Sequence, residues 1–175
     1  MKHIDWEKVQ EASGGKLPAG GYVCGITAVE DDAEREFLKF EFDIAEGEYK
    51  NTYRELYETR GFWAGRFNKS YKEKALGYFK KMLKAFEKSN KGFVFTDDEK
   101  AFKRRLIGLV IGYEEYIGSD GAVKERIRVA DFLPVEDIRA GRYTVPELKR
   151  LDGGKADTPA AAPEADDISD DDLPF

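Results

Sequence analysis

Between residues 49 and 72 the chain reads YKNTYRELYETRGFWAGRFNKSYK, and in this stretch rings and cations take turns. Tyr53, Tyr57, Phe62, Trp63, Phe67 and Tyr71 are interleaved with Lys50, Arg54, Arg60, Arg66, Lys69 and Lys72. A planar side chain offers a face on which an unpaired nucleobase stacks whatever its identity, and a neighbouring cation meets the phosphate that follows it. Aromatic residues are also leading core residues, so for each ring core packing and stacking both stay open. Trp63 and Phe67 stand among Gly61, Gly65 and Asn68, in a stretch that reads as loop, which makes them the rings best placed for a ligand.

A second constellation lies further on, in VKERIRVADF. Strand alternation puts Val123, Ile127 and Val129 on one face and Lys124, Arg126 and Arg128 on the other. Three cations on one strand face recur at about 7 Å, close to the reach of consecutive phosphates. Pairing with Glu114 and Glu115 across a hairpin is the competing reading of the same residues. Phe37 and Lys39, on the polar face of an earlier strand, would extend such a groove.

Catalytic groupings find little support. His3 is the single histidine, so neither a histidine-based triad nor a multi-histidine metal site can be assembled. The pairs Gly15-Lys16 and Gly154-Lys155 lack the upstream glycine and the following Ser or Thr of a phosphate-binding loop. Carboxylates abound in DDAERE and TDDEK, where turns and helix starts are expected, and a two-metal nuclease among them is the residual enzymatic reading. A non-enzymatic chain without a cofactor is expected.

The elements that must carry these residues follow from the periodicity. GYVCGITAVE, residues 21–30, reads as a strand, and EFLKFEFDIAEG alternates Leu38, Phe40, Phe42 and Ile44 against Phe37, Lys39, Glu41 and Asp43. NTYRELYET reads as a third strand, with Tyr53, Glu55 and Tyr57 opposite Thr52, Arg54 and Leu56. Ser70 with Glu73 forms a capping box before Leu76, Phe79, Leu83 and Phe86 at helical spacing, and Asn90 and Gly92 stop that helix. Its many lysines (Lys72, Lys74, Lys80, Lys81, Lys84 and Lys88) read as a solvated face. Thr96 with Glu99 marks a further short helical turn. RLIGLVIGYEEYIG and AVKERIRVADFLPV are then two long strands joined at GSDG. Three strands, one main helix and two strands is the order of an OB-fold, a five-stranded barrel that commonly binds oligonucleotides on its second and third strands.

Composition bounds the whole. The 175 residues, 41% hydrophobic and without an apolar run near eighteen residues, suit one domain with a core and no membrane span. The opening MKHIDWEKVQ lacks a secretory apolar run and Cys24 stands alone, so a reducing, cytoplasmic setting is expected. The net charge of −6 is unevenly spread. Residues 156–175 hold seven acids and no Lys or Arg; taking these from the total of 35 leaves 28 acids against 29 cations in residues 1–155. Such asymmetry predicts a near-neutral domain over 1–151, a Gly/Ala/Pro-rich linker over 152–165 and an acidic tip over 166–175.

That tip reads DDISDDDLPF. Acids alone would suit a solubilising tail, but Leu173, Pro174 and Phe175 turn apolar at the end. A terminal phenylalanine presents a ring for an apolar pocket and a carboxylate for an arginine, proline lowers the ordering cost, and aspartates steer the segment to a basic surface. Asp170, Asp171, Asp172, Leu173, Pro174 and Phe175 resemble the acidic tip of bacterial and phage single-stranded DNA-binding proteins, with Asp166, Asp167 and Ile168 extending the match. The body departs from the usual bacterial sequence and is more similar to divergent barrels encoded by phages and prophages, so the familiar tetramer does not carry over and a homo-oligomer is left open. The resemblance implies a single-stranded DNA-binding protein of DNA replication, recombination and repair, nucleoid-associated in a bacterial host. It also implies that the tip recruits a helicase, nuclease, primase or annealing protein. An adaptor or inhibitor that borrows the tip, with a body that binds protein instead of DNA, is the alternative.

Overall fold

The computed structural model describes residues 2–8 and 16–151; the linker and tip expected at 152–165 and 166–175 lie outside the described residues. Five antiparallel strands form one sheet: β1 (Gly20–Asp32), β2 (Phe37–Ile44), β3 (Arg66–Ser70), β4 (Leu106–Ile117) and β5 (Val123–Leu133). Three helices accompany them: α1 (Thr52–Arg60), α2 (Leu76–Ser89) and α3 (Val135–Arg139). The strands lie in the order β3-β2-β1-β4-β5, with the main helix α2 between the third and fourth strands in sequence. This is the mostly β, five-stranded arrangement expected of an OB-fold.

The thirteen-residue β1 is long enough to serve two partners, its first half paired with β4 and its second with β2. A bulge between Ile26 and Ala28 bends it there, and another between Val110 and Ile111 bends β4, so the sheet curls around its apolar face. The apolar face of β2 is as expected, with Leu38, Phe40, Phe42 and Ile44 buried alongside Ile107, Leu109 and Ile111 of β4, but Phe37 and Asp43 at the two ends of the opposite face are buried too. Rings fill the centre, Phe40 stacking on Phe67 at 4.7 Å and meeting Phe102 edge-on at 5.3 Å. The outer strands β3 and β5 approach through side chains, with the rings of Phe67 and Phe132 5.3 Å apart.

Helix α2 covers this core with Phe79, Met82, Ala85 and Phe86. Leu76, expected in the same stripe, is instead 48% exposed, because the helix begins only at that residue. The Ser70–Glu73 pair does not cap it. Ser70 ends β3 and its hydroxyl accepts from Lys72 N–H at 3.1 Å, ahead of a 3-10 turn at Glu73–Ala75. Asn90 stops the helix as expected, its amide donating to the carbonyls of Phe86 and Leu106 and accepting from Leu106 N–H. The turn at Glu99–Phe102 is capped by Asp98 rather than Thr96. Across the sheet, Val135 and Ile138 of α3 pack on Val23 and Val110. The chain then crosses β4 and leaves Lys149 bonded to its edge through Tyr113 O and Glu115 N–H.

One expected element is a different structure. NTYRELYET is not the third strand but the body of α1, and β3 follows it at Arg66–Ser70. The physical reason is a cap from outside the segment. The carboxylate of Asp43, at the end of β2, accepts from Tyr53 N–H at 2.8 Å and Arg54 N–H at 3.0 Å, two amides that a helix start leaves open. Gly61, at φ 78°, closes the other end by donating to Tyr57 O.

Candidate nucleic-acid interface

The insertion between β2 and β3 brings the exposed rings together. Helix α1 buries only Tyr53, whose ring meets Phe42 edge-on at 5.5 Å and anchors the helix to the sheet. One turn on, Tyr57 is 50% exposed and tilts against Trp63 with ring centroids 6.0 Å apart. Phe62 beside them is 51% exposed. The half-buried Trp63 is fixed by its indole N–H, which donates to Phe42 O at 3.1 Å. Gly65 follows at a point where a Cβ would stand 2.4 Å from that same carbonyl and 2.6 Å from the Tyr53 ring. The chain therefore turns into β3 tight against β2, and Tyr57 and Phe62 stay exposed on a held base.

Asp43 is the residue behind this placement. It was expected on the solvent face of β2, yet it is buried, and it also accepts from Ile44 N–H at 2.8 Å. Of the three backbone donors on this carboxylate, those of Tyr53 and Arg54 tie β2 to α1. The signals for the helix are present locally, Thr52 with Glu55 at capping-box spacing and Gly61 as a stop. The cap itself comes from Asp43, ten and eleven residues before the amides that it accepts from, and has no local signature.

The other expected contacts divide by environment. Phe37, Tyr53, Phe67 and Lys69 are buried, so four candidates belong to the interior. Phe67 lies in β3 instead of a loop, stacked on Phe40, and the Lys69 ammonium sits 4.8 Å from the Phe132 ring at the β3–β5 seam. Four cations on the strand faces already have acidic partners. Lys39 lies 3.7 Å from Glu30 and 3.6 Å from Asp32, Arg66 3.3 Å from Glu41, Lys124 3.5 Å from Asp120, and Arg126 3.1 Å from Glu114. The cross-hairpin reading holds for Arg126, whose guanidinium also lies 4.8 Å from the Tyr116 ring. Arg54 and Arg60 are exposed on α1, and Arg128 is half-exposed on β5. Asp170, Asp171, Asp172, Leu173, Pro174 and Phe175 lie outside the described residues.

The thiol and several phenols near the core are held neutral. Burial pushes the Cys24 thiol well above its usual range, and it likewise raises the Tyr22, Tyr53 and Tyr113 phenols. Desolvation and then a hydrogen bond to Asp31 raise Tyr71 to about 12, so this ring is tied to β1. Among the described residues no group of three His, Cys, Asp or Glu side chains could hold a metal ion, and no helix is long and apolar enough to cross a membrane. No protein-family model matches the chain, and no curated protein matches it at a significant level.

Proposed function

We propose that the chain binds single-stranded DNA through the α1–β3 insertion and recruits partner proteins through its Asp170–Phe175 tip, without catalysing a reaction. The observation that carries this reading is the pair of exposed rings Tyr57 and Phe62, with the half-buried Trp63 packed beside Tyr57, on a base fixed by Asp43. Rings held in advance cost little ordering entropy when bases stack on them, and stacking tolerates any base. Arg54 on the same helix supplies a cation for the phosphates. The setting is a bacterial cytoplasm, on DNA exposed during phage replication or recombination. There the tip would raise the local concentration of a helicase, nuclease, primase or annealing protein.

Titration with oligothymidine, followed by tryptophan fluorescence at low and high salt, tests this reading against a duplex control. Quenching by the single strand that salt weakens and duplex does not reproduce supports it. Absence of binding at low salt, checked by mobility shift, overturns it. The ion pairs of Lys39, Arg66, Lys124 and Arg126 favour a second reading in that event. The body would then be a protein-binding adaptor or inhibitor, with the tip as its working end.

A further inference from the structure

The cations of this chain are segregated. Residues 61–105 carry thirteen Lys and Arg against five Asp and Glu, whereas residues 1–60 carry eight against fourteen. The basic segment runs from the ring edge through β3 into α2, which packs against β3 and β5. On the outer side of α2, Lys80, Lys84 and Lys88 recur every four residues, with Lys74 before the helix and Lys91 after it. All five are exposed, and none has an ion-pair partner among the described residues. Lys81, on the flank, is the lysine of α2 that has one, Asp131.

Helix stability does not account for the row. Lysines four apart repel each other, and cations are favoured only toward the C-terminal end of a helix. Here the first turn of α2 has no acid and Lys74 and Lys80 stand at the disfavoured end. Solubility would be served equally by mixed charges, as on α1, which alternates Arg54, Glu55, Glu58 and Arg60. A polyanion accounts for it better. Successive lysines of the row are about 6 Å apart along the axis, near the separation of phosphates on an extended strand. Cations that already hold carboxylates release few counterions to a phosphate, and free ones release theirs. All five are Lys, which meets a phosphate as a point charge.

We propose that the lysine row of α2 is a phosphate track for single-stranded nucleic acid, distinct from the strand faces on which an OB-fold commonly binds and continuous in sequence with the ring edge of Tyr57 and Trp63. This rests on the proposed single-strand binding. The rings would stack bases while the row neutralises the backbone that leads away from them.

The test compares the full chain with Lys80→Gln/Lys84→Gln/Lys88→Gln, using fluorescently labelled oligothymidine at several salt concentrations. Glutamine keeps helix propensity, and circular dichroism checks the fold. The triple variant is expected to bind about tenfold to a hundredfold more weakly near 50 mM salt, with a log–log salt slope smaller by about two. Its tryptophan quenching at saturation is expected to be unchanged, since the rings are intact. Glu87→Gln, which removes the acid on the same side of the helix, is expected to bind about twofold more tightly, a gain that misfolding cannot produce. Unchanged affinity and slope in the triple variant, with the parent chain binding, would overturn the track and leave the ring edge standing. Tighter binding by the triple variant would also overturn it, and would assign the row to the acidic 166–175 segment. A parent chain that does not bind at all removes the proposed function itself.

Discussion

At the scale of single residues, burial separates rings that resemble one another in sequence. Tyr57 and Phe67 both stand in one aromatic and basic stretch, yet the first is half exposed and the second is packed on Phe40. Tyr57→Ala is expected to weaken oligothymidine binding about tenfold while thermal stability changes little, since one stacked base contributes roughly 1–3 kcal/mol. Phe67→Ala is expected to cost about 3–5 kcal/mol of stability through the cavity it leaves. Anisotropy titrations and denaturant melts on both variants check the pair, and a binding loss without a stability loss in Phe67→Ala would contradict it. Lys39, Arg66, Lys124 and Arg126 make the same point for charge. Each is exposed enough to be reached, but a phosphate would first have to displace a carboxylate.

At the scale of elements, α1 depends on its neighbour more than on itself. With Tyr53 as its buried side chain and a mixed polar sequence, it has little apolar face to hold it down. Asp43 compensates from β2. Asp43→Ala removes the acceptor for three backbone amides, and the loss is expected to be about 2–3 kcal/mol, with Asn recovering part of it. Because the same helix positions Trp63, the variant is expected to shift tryptophan emission to the red, read in a Trp6→Phe background. A melt lowered as described with unchanged Trp63 emission would mean that the ring edge does not rely on this cap.

At the scale of the whole molecule, the fold keeps its phenols neutral and its charges in separate regions. Tyr22, Tyr53 and Tyr113 have folded-state pKa values above their ordinary 10, chiefly through burial. The sign follows directly: the unfolded chain releases these protons near pH 10 while the folded chain holds them. Stability is therefore present in full below pH 10 and is lost as pH rises beyond it. Thermal melts between pH 8 and 12 are expected to show a flat region and then a fall, with phenolate absorbance rising together with unfolding. Phenolate absorbance of all nine tyrosines rising ahead of unfolding would refute the assignment. The acidic 152–175 segment, on a body that is nearly neutral overall but locally basic, is expected to compete with DNA. Its removal should tighten oligothymidine binding and reduce the salt dependence, and an unchanged affinity and slope would count against that competition.

The sequence by itself determined the strand pattern where one face is buried without interruption. Leu38, Phe40, Phe42 and Ile44 could belong only to a strand with an apolar inner side, and the two runs joined at GSDG are the β4–β5 hairpin. Those assignments depend on period alone, which is a local property. It also marked the ring-rich segment at 49–72 and the helix that ends at Asn90. Only the tertiary structure decided that residues 52–60 are helical, because the competing periods in that segment are both weak and the deciding carboxylate comes from Asp43. It alone divided Tyr57 from Tyr53 and Phe67, since which rings the curled sheet covers depends on where the side chains of β3 and β5 approach. It alone distinguished the paired cations of the strands from Lys80, Lys84 and Lys88 of α2, which have no ion-pair partner among the described residues, because an ion pair across a sheet depends on register and leaves no trace in composition.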